Sequence, residues 1–158
     1  MKNYLTYILI LCLTITLTAC GAKTNTKKLS CEYDLSSEVA DFDKITLNIS
    51  FEQDMDNNQL VNGTVIFTVK SSNISSSQAN DIRDSFREEF CQEGFFGEGT
   101  NKSCKVTIDG SSITATIDID TDKLIKIEDL ELDENTLTEL KEVLEEEFGS
   151  SGITCNIK

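Results

Sequence analysis

Six cysteines carry most of the chemistry this 158-residue chain can offer: Cys12, Cys20, Cys31, Cys91, Cys104 and Cys155. A thiol can be alkylated, oxidised to a disulfide, or ionised to hold a metal. Structural zinc favours C-x-x-C pairs and histidines. No two cysteines here have that spacing, and the chain contains no His. Disulfides are therefore the favoured reading and metal the rival. Which cysteines are free to pair depends on where the chain is sent.

The address is written at the N-terminus. Lys2 leads, an apolar run from Tyr4 to Thr18 comes next with only threonines interrupting it, and Ala19 ends it. That is the layout of a secretory signal. A spanning helix needs about 20 apolar residues, more than this run supplies. Leu17-Thr18-Ala19-Cys20 resembles the bacterial lipobox. The resemblance implies a diacylglyceryl thioether on Cys20, cleavage after Ala19, and further acylation of the palmitate type. Only a thiol forms that bond, and two or more acyl chains give a stable anchor where one does not. The rival is an ordinary signal peptide in which Cys20 is incidental. The expected divisions are a signal peptide at 1–19, a lipidated cysteine with a basic tether at 20–29, and one domain at 30–158. The expected location is the extracytoplasmic face of the cell membrane.

Export sets the redox state. Cys12 leaves with the signal, Cys20 is consumed by lipid, and four cysteines remain in an oxidising setting, an even number that reads as two disulfides. Three connectivities are possible. Cys31 opens the domain and Cys155 nearly closes it, while Cys91 and Cys104 flank a glycine-rich loop. The simplest scheme is Cys31–Cys155 and Cys91–Cys104.

Charge excludes one class of partner. From Ser30 onward ten basic residues face 28 acidic ones, a net charge of −18. Nucleic-acid binding needs the opposite pattern. The tether, with Lys23, Lys27 and Lys28 and no acid, suits an anionic headgroup surface.

The elements that would position these residues can be read from periodicity. Ser30–Leu35 reads as a short strand. Asp43–Glu52 alternates, with Ile45, Leu47, Ile49 and Phe51 on one side. Asp54–Gln59 is a turn cluster, and Thr64–Lys70 returns as a strand. Gln78–Phe90 has Ala79, Ile82, Phe86 and Phe90 at helical spacing. Cys104–Ile108 and Ile113–Asp120 flank an Asp109-Gly110 turn. A mixed link comes after them. Thr136–Phe148 is a second helix, with Thr136 and Glu139 fitting a capping box and Gly149 a C-cap. Ile153–Ile157 closes the chain. Glu-Glu-Phe recurs at 88–90 and 146–148, by duplication or by chance. The expected fold is α+β: a two-layer sandwich of tandem strand–strand–helix units, an antiparallel sheet with both helices on one side.

Other candidate sites are weaker. Asp54-Met-Asp56-Asn-Asn58 begins like a calcium loop but lacks the later Gly and Glu, so a hairpin turn competes with it. Asp118, Asp120 and Asp122 would share one side of a strand and could gather a cation, or form a solvated outer face. Gly94-Phe95-Phe96-Gly97 presents Phe95 and Phe96 either as an exposed tip for a partner or as a cap on the core. No nucleophile setting is present and no carboxylate pair stands out. Carbohydrate platforms favour Trp or Tyr, and the mature chain has only Tyr33.

A lipobox, a basic tether, an early cysteine, two hairpin–helix units and a terminal Thr-Cys-x-x-Lys together resemble the small YehR-like lipoproteins of low-GC Gram-positive bacteria. The resemblance implies an α+β fold, a role without established activity, and Cys20 as the one transferable functional residue. Cys91 and Cys104 depart from that pattern. The expectation is a monomeric, non-enzymatic envelope lipoprotein with no cofactor, binding an envelope protein or ligand. A calcium-responsive acidic module is the alternative, and a hydrolase a third.

Overall fold

The structure, a computed structural model, describes residues 25–36, 42–127, 130–148 and 152–158. In chain order the elements are β1 (Thr26–Asp34), β2 (Lys44–Asp54), β3 (Gln59–Lys70), α1 (Ser76–Phe86) continuing into a π turn (Arg87–Gln92), β4 (Asn101–Asp109), β5 (Ser112–Ile119), α2 (Thr121–Ile127), α3 (Thr136–Phe148) and β6 (Thr154–Ile157). The strands form one six-stranded sheet in the order β4-β5-β3-β2-β1-β6, with each neighbouring pair antiparallel. The fold is α+β, built from β2-β3-α1 and β4-β5 followed by α2 and α3.

Strand alternation places one row of apolar side chains beside the next. Cys31, Ile49, Val65, Ile117 and Cys104 are register partners across five strands, and Tyr33, Leu47, Phe67, Ala115 and Val106 form the next row. These rows make the floor on which the helices pack. Leu137, Leu140 and Leu144 of α3 cover β1, β2 and the middle of the sheet, while Ala79 and Phe86 of α1 cover the β4–β5 side. Phe67 lies against both clusters, with Phe86 at 5.1 Å and Phe90 at 5.4 Å between ring centroids.

Three expectations change here. The first strand starts at Thr26, so Lys27 and Lys28 belong to the sheet. Leu29 is fully buried, and Lys28 exchanges backbone hydrogen bonds with Lys158 at 2.9 Å in each direction. Lys28 also pairs with Glu52 at 3.3 Å. Thr26–Lys28 read as tether because they carry no apolar alternation of their own.

The third strand is longer than its pattern suggests. Glu52 pairs with Asn62 and Gln53 with Leu60, so Val61 is an extra residue on β3. This bulge shifts the phase by one. Leu60 therefore turns into the core while Val61 is 52% exposed. Across a shifted phase, strict alternation breaks and Gln59–Gly63 looks like loop.

Finally, the mixed link contains α2, and the Asp120 expected at a strand's end caps it. Asp120 Oδ1 accepts from Lys123 N at 3.3 Å, and its carbonyl accepts from Leu124 N at 3.0 Å. Leu124 is fully buried. Thr136 opens α3 without forming the expected capping box. Its hydroxyl instead donates to Asp133 O at 2.8 Å and accepts from Asp133 N at 2.9 Å, fastening the preceding turn. The capping box occurs at α1, between Ser75 and Gln78. Gly149, the expected C-cap, lies outside the described residues.

Candidate functional site

Each helix covers a different part of the sheet. The α1 helix and its π turn pack on β4 and β5; α3 packs on β1 and β6. The gap between them is closed at one end by the 93–100 loop and α2, where Phe96 sits on Phe51 at 5.9 Å. The other end is an apolar cleft of about 430 Å³. Leu47 of β2 and Phe67 of β3 form its floor, Phe90 and Phe95 one wall, and Tyr33, Leu35 and Phe148 the other. Tyr33 and Phe148 are 6.3 Å apart, and Phe90 and Phe95 6.1 Å. Leu35, Phe67, Phe90, Phe95 and Phe148 are each only half-buried. A cleft of this size and lining is what small-molecule and side-chain sites commonly use.

The wall at Phe90 and Phe95 is fastened by covalent and polar bonds. An i to i+5 turn brings Cys91 round beneath Phe86, on the β4 side, and Cys91 is bonded to Cys104 with 5.3 Å between Cα atoms. Asn101 Nδ2 donates to Phe90 O at 2.5 Å, and Asn101 Oδ1 accepts from Phe95 N at 3.3 Å. Thr100, fully buried, donates to Gly97 O at 2.8 Å, and Lys123 Nζ reaches Gly99 O at 2.8 Å. Gly94 has φ +85°, and a Cβ there would lie 2.1 Å from Gly97 O, so no other residue fits. Phe95 and Phe96 are thus not an exposed tip. They are half-buried and 5.0 Å apart, Phe96 on the core and Phe95 in the cleft wall.

The second disulfide closes the other side of the sheet. Cys31 and Cys155 are direct register partners on β1 and β6 and are bonded, with 4.0 Å between Cα atoms. Both pairs are those the spacing suggests. Cys20 lies outside the described residues.

The carboxylate candidates are occupied by local structure. Strand β5 stops at Ile119, so Asp118, Asp120 and Asp122 do not share a strand face: Asp118 is on β5, Asp120 caps α2, and Asp122 lies in its first turn. Asp118 accepts from Ser103 Oγ at 2.6 Å, and Asp120 pairs with Lys123 at 3.8 Å. All three line one notch of about 630 Å³, yet no three Asp, Glu, Cys or His among the described residues gather to hold a metal. At the β2–β3 turn Asp54 accepts from Asp56 N at 2.9 Å and Asn57 Nδ2 at 3.1 Å, and Asn58 takes φ +58°. Those oxygens close a hairpin turn.

One surface escaped sequence reasoning. Among the described residues no helix covers the outer sheet face, which is rich in hydroxyls and buries Thr46. Thr46, Thr68, Thr114 and Thr107 are consecutive register partners across four strands, with Thr68 and Thr114 hydroxyls 3.3 Å apart. The alternation that marks the core marks this face too, but its composition reads as ordinary solvated surface.

Two carboxylates are held acidic by neighbouring serines. The Ser36 hydroxyl and amide beside Asp34 hold its carboxyl below the ordinary range, and the Ser72 hydroxyl and amide do the same for Asp43. Depressed values stabilise the fold above the unfolded pKa of roughly 4 and lose that contribution as pH falls through the folded values. Relative to wild type, Asp34→Asn with Asp43→Asn should therefore flatten the melting-temperature profile only below about pH 4. A difference that appeared between pH 5 and 7 would contradict this.

Among the described residues no helix is long and apolar enough to cross a membrane. No protein-family model, curated protein or solved structure matches the chain.

Proposed function

We propose that this chain is a lipid-anchored binding protein of the bacterial cell envelope, tethered through Cys20 on the extracytoplasmic face and akin to the small YehR-like lipoproteins. It acts as a monomer without a cofactor and without catalysis. The observation that carries binding is the cleft: five half-buried apolar side chains stand open between two helices. Exposed apolar surface of this kind is costly unless something uses it. The anchor rests on Leu17-Thr18-Ala19-Cys20 following an apolar run, and two disulfides accord with an oxidising compartment. The chain has no His and the four cysteines after Cys20 are paired, so neither an imidazole base nor a free thiol supports the hydrolase reading.

Metabolic labelling with radioactive palmitate tests the anchor. Wild type should incorporate label and sediment with membranes, whereas Cys20→Ser should take up none. Labelling that survived in Cys20→Ser would overturn Cys20 as the lipidated residue.

A further inference from the structure

The free edge of the sheet offers a binding surface separate from the cleft. We infer that β4 takes an extended, acidic peptide segment of a partner protein, which adds to the sheet as a further strand.

Strand β4 ends the sheet and pairs with β5 alone. Alternate residues of such a strand point their N–H and C=O groups away from the sheet. Beyond the β5 ladder, no hydrogen bond among the described residues takes up a backbone group of Ser103–Asp109. That stretch is in unbroken register with β5, since the irregularity lies between Asn101 and Ser103. The opposite edge, β6, is only four residues long. Another strand is what an open edge of this kind recognises.

A groove runs beside the edge. The two flanks of α1 are told apart by what they line. Gln78, Asp81 and Ile82 face Phe42 and Ser71, where β2 begins and β3 has ended. Ser76, Ala79 and Asn80 line a separate groove of about 230 Å³ with Ile108 and Gly110. Ile108 is on the helix side of β4, yet it is 38% exposed. The groove admits one or two side chains from an added strand, which would cover Ile108.

Charge selects the segment. Arg83 and Arg87, the only arginines in the chain, lie three and seven residues beyond Asn80, and the backbone stays helical through Arg87. Both therefore continue the flank that faces β4. Lys102 and Lys105 stand exposed on β4 itself, with Lys105 on the outer sheet face. Arg83 pairs with Asp84 at 2.9 Å, but Arg87, Lys102 and Lys105 have no ion pair among the described residues. Of the nearby carboxylates, Asp118 accepts from Ser103 Oγ at 2.6 Å, and Glu89 lines the cleft on the other side of the helix. Salt screens exposed charges beyond about 8 Å, so these cations outweigh the acidic remainder of the domain for a strand lying on β4. A second copy of β4 would bring Lys102 and Lys105 against the same cations. A segment with apolar side chains toward α1 and carboxylates toward Lys105 satisfies backbone, groove and charge together.

The test uses the full chain in phosphatidylcholine nanodiscs, with empty discs as the blank. Three labelled peptides of about eight residues serve as probes: alternating Val/Glu, the same pattern in Val/Lys, and Val/Glu with its central amides N-methylated. The last keeps charge and side chains but cannot donate to a strand. Val/Glu should bind saturably at one per chain and slow hydrogen exchange in Ser103–Asp109, and the other two should do neither. Lys102→Glu with Lys105→Glu should weaken Val/Glu binding about tenfold or more and admit Val/Lys instead, with the fold retained by circular dichroism. Asn80→Trp fills the groove without changing charge and should also weaken binding. Equal binding of the N-methylated peptide, or indifference to the lysine variants, would overturn the inference. So would protection confined to β1 or β6. Protection of Ser103–Asp109 that rises with protein concentration before any peptide is added would make a second copy the occupant and overturn it too. Failure here with palmitate labelling intact would leave the anchor standing without this partner.

Discussion

Replacing Cys31 and Cys155 together by alanine is expected to lower unfolding free energy by about 5 kcal/mol. The bond spans 124 residues. In the chain-entropy account that length removes far more freedom from the unfolded chain than the 13-residue separation of Cys91 and Cys104, whose loss should cost about 3 kcal/mol. For a domain of this size the larger loss is a fall in melting temperature of roughly 15–20 °C. The fold has a local reason to depend on it as well. Strand β6 is four residues long and pairs only with β1, over Leu29–Glu32. Without the bond, only that short pairing and the packing of α3 on β6 would hold the end of the chain beyond α3. Chemical unfolding of wild type and both double variants measures the order directly. A Cys91/Cys104 variant less stable than the Cys31/Cys155 variant would refute it. Burial adds a kinetic corollary. Cys31 and Cys155 are 2% and 6% exposed, whereas Cys91 and Cys104 are half-buried, so mild reductant should open the short loop first.

Much of this architecture was legible because the sheet is buried on one face only. Period-two alternation in β2 and β5 announced which side chains face the helices, and the Leu137, Leu140, Leu144 stripe located α3 from Thr136 to Phe148 as observed. Cysteine positions at the domain's ends and around a glycine-rich loop suggested the pairs that form. What stayed hidden has a physical cause in each case. The Val61 bulge scrambled the phase of β3. Asp118, Asp120 and Asp122 look alternate in sequence, but the second is a helix cap, and the alternation masked α2.

The cleft was the least legible feature. Phe90 and Phe148 were visible as members of a repeated Glu-Glu-Phe string, yet nothing local says that the two phenylalanines face each other across a gap. That depends on which strands each helix covers. With β3 beside β5 and β6 beside β1, α1 and α3 settle on opposite sides of the sheet's midline, and the central Leu47 and Phe67 are left between them. Sheet order is a nonlocal property, and the hydrophobic pattern of single elements does not encode it.

The second large effect lies where β2 and β3 touch most closely. Phe51 is fully buried, and its register partner is Gly63. A Cβ on Gly63 would sit 2.7 Å and 2.9 Å from two carbons of the Phe51 ring and 3.1 Å from Ile119 Cβ. The ring cannot swing away cheaply, since Phe96 packs against it from above at 5.9 Å. Glycine is therefore present to let the ring lie flat over the neighbouring strand, and its φ is unremarkable. Phe51→Ala should cost about 3–5 kcal/mol, through lost burial and the cavity left behind. Gly63→Ala alone should cost about 1–3 kcal/mol through overpacking. The two effects must not add. With the ring gone, the methyl introduced by Gly63→Ala loses its two closest contacts. The strand then regains the backbone advantage of alanine over glycine, about 0.5–1 kcal/mol. The double variant should be no less stable than Phe51→Ala, giving a coupling of at least about 1 kcal/mol in urea unfolding. Strict additivity would mean that Gly63 is held for a reason other than this ring.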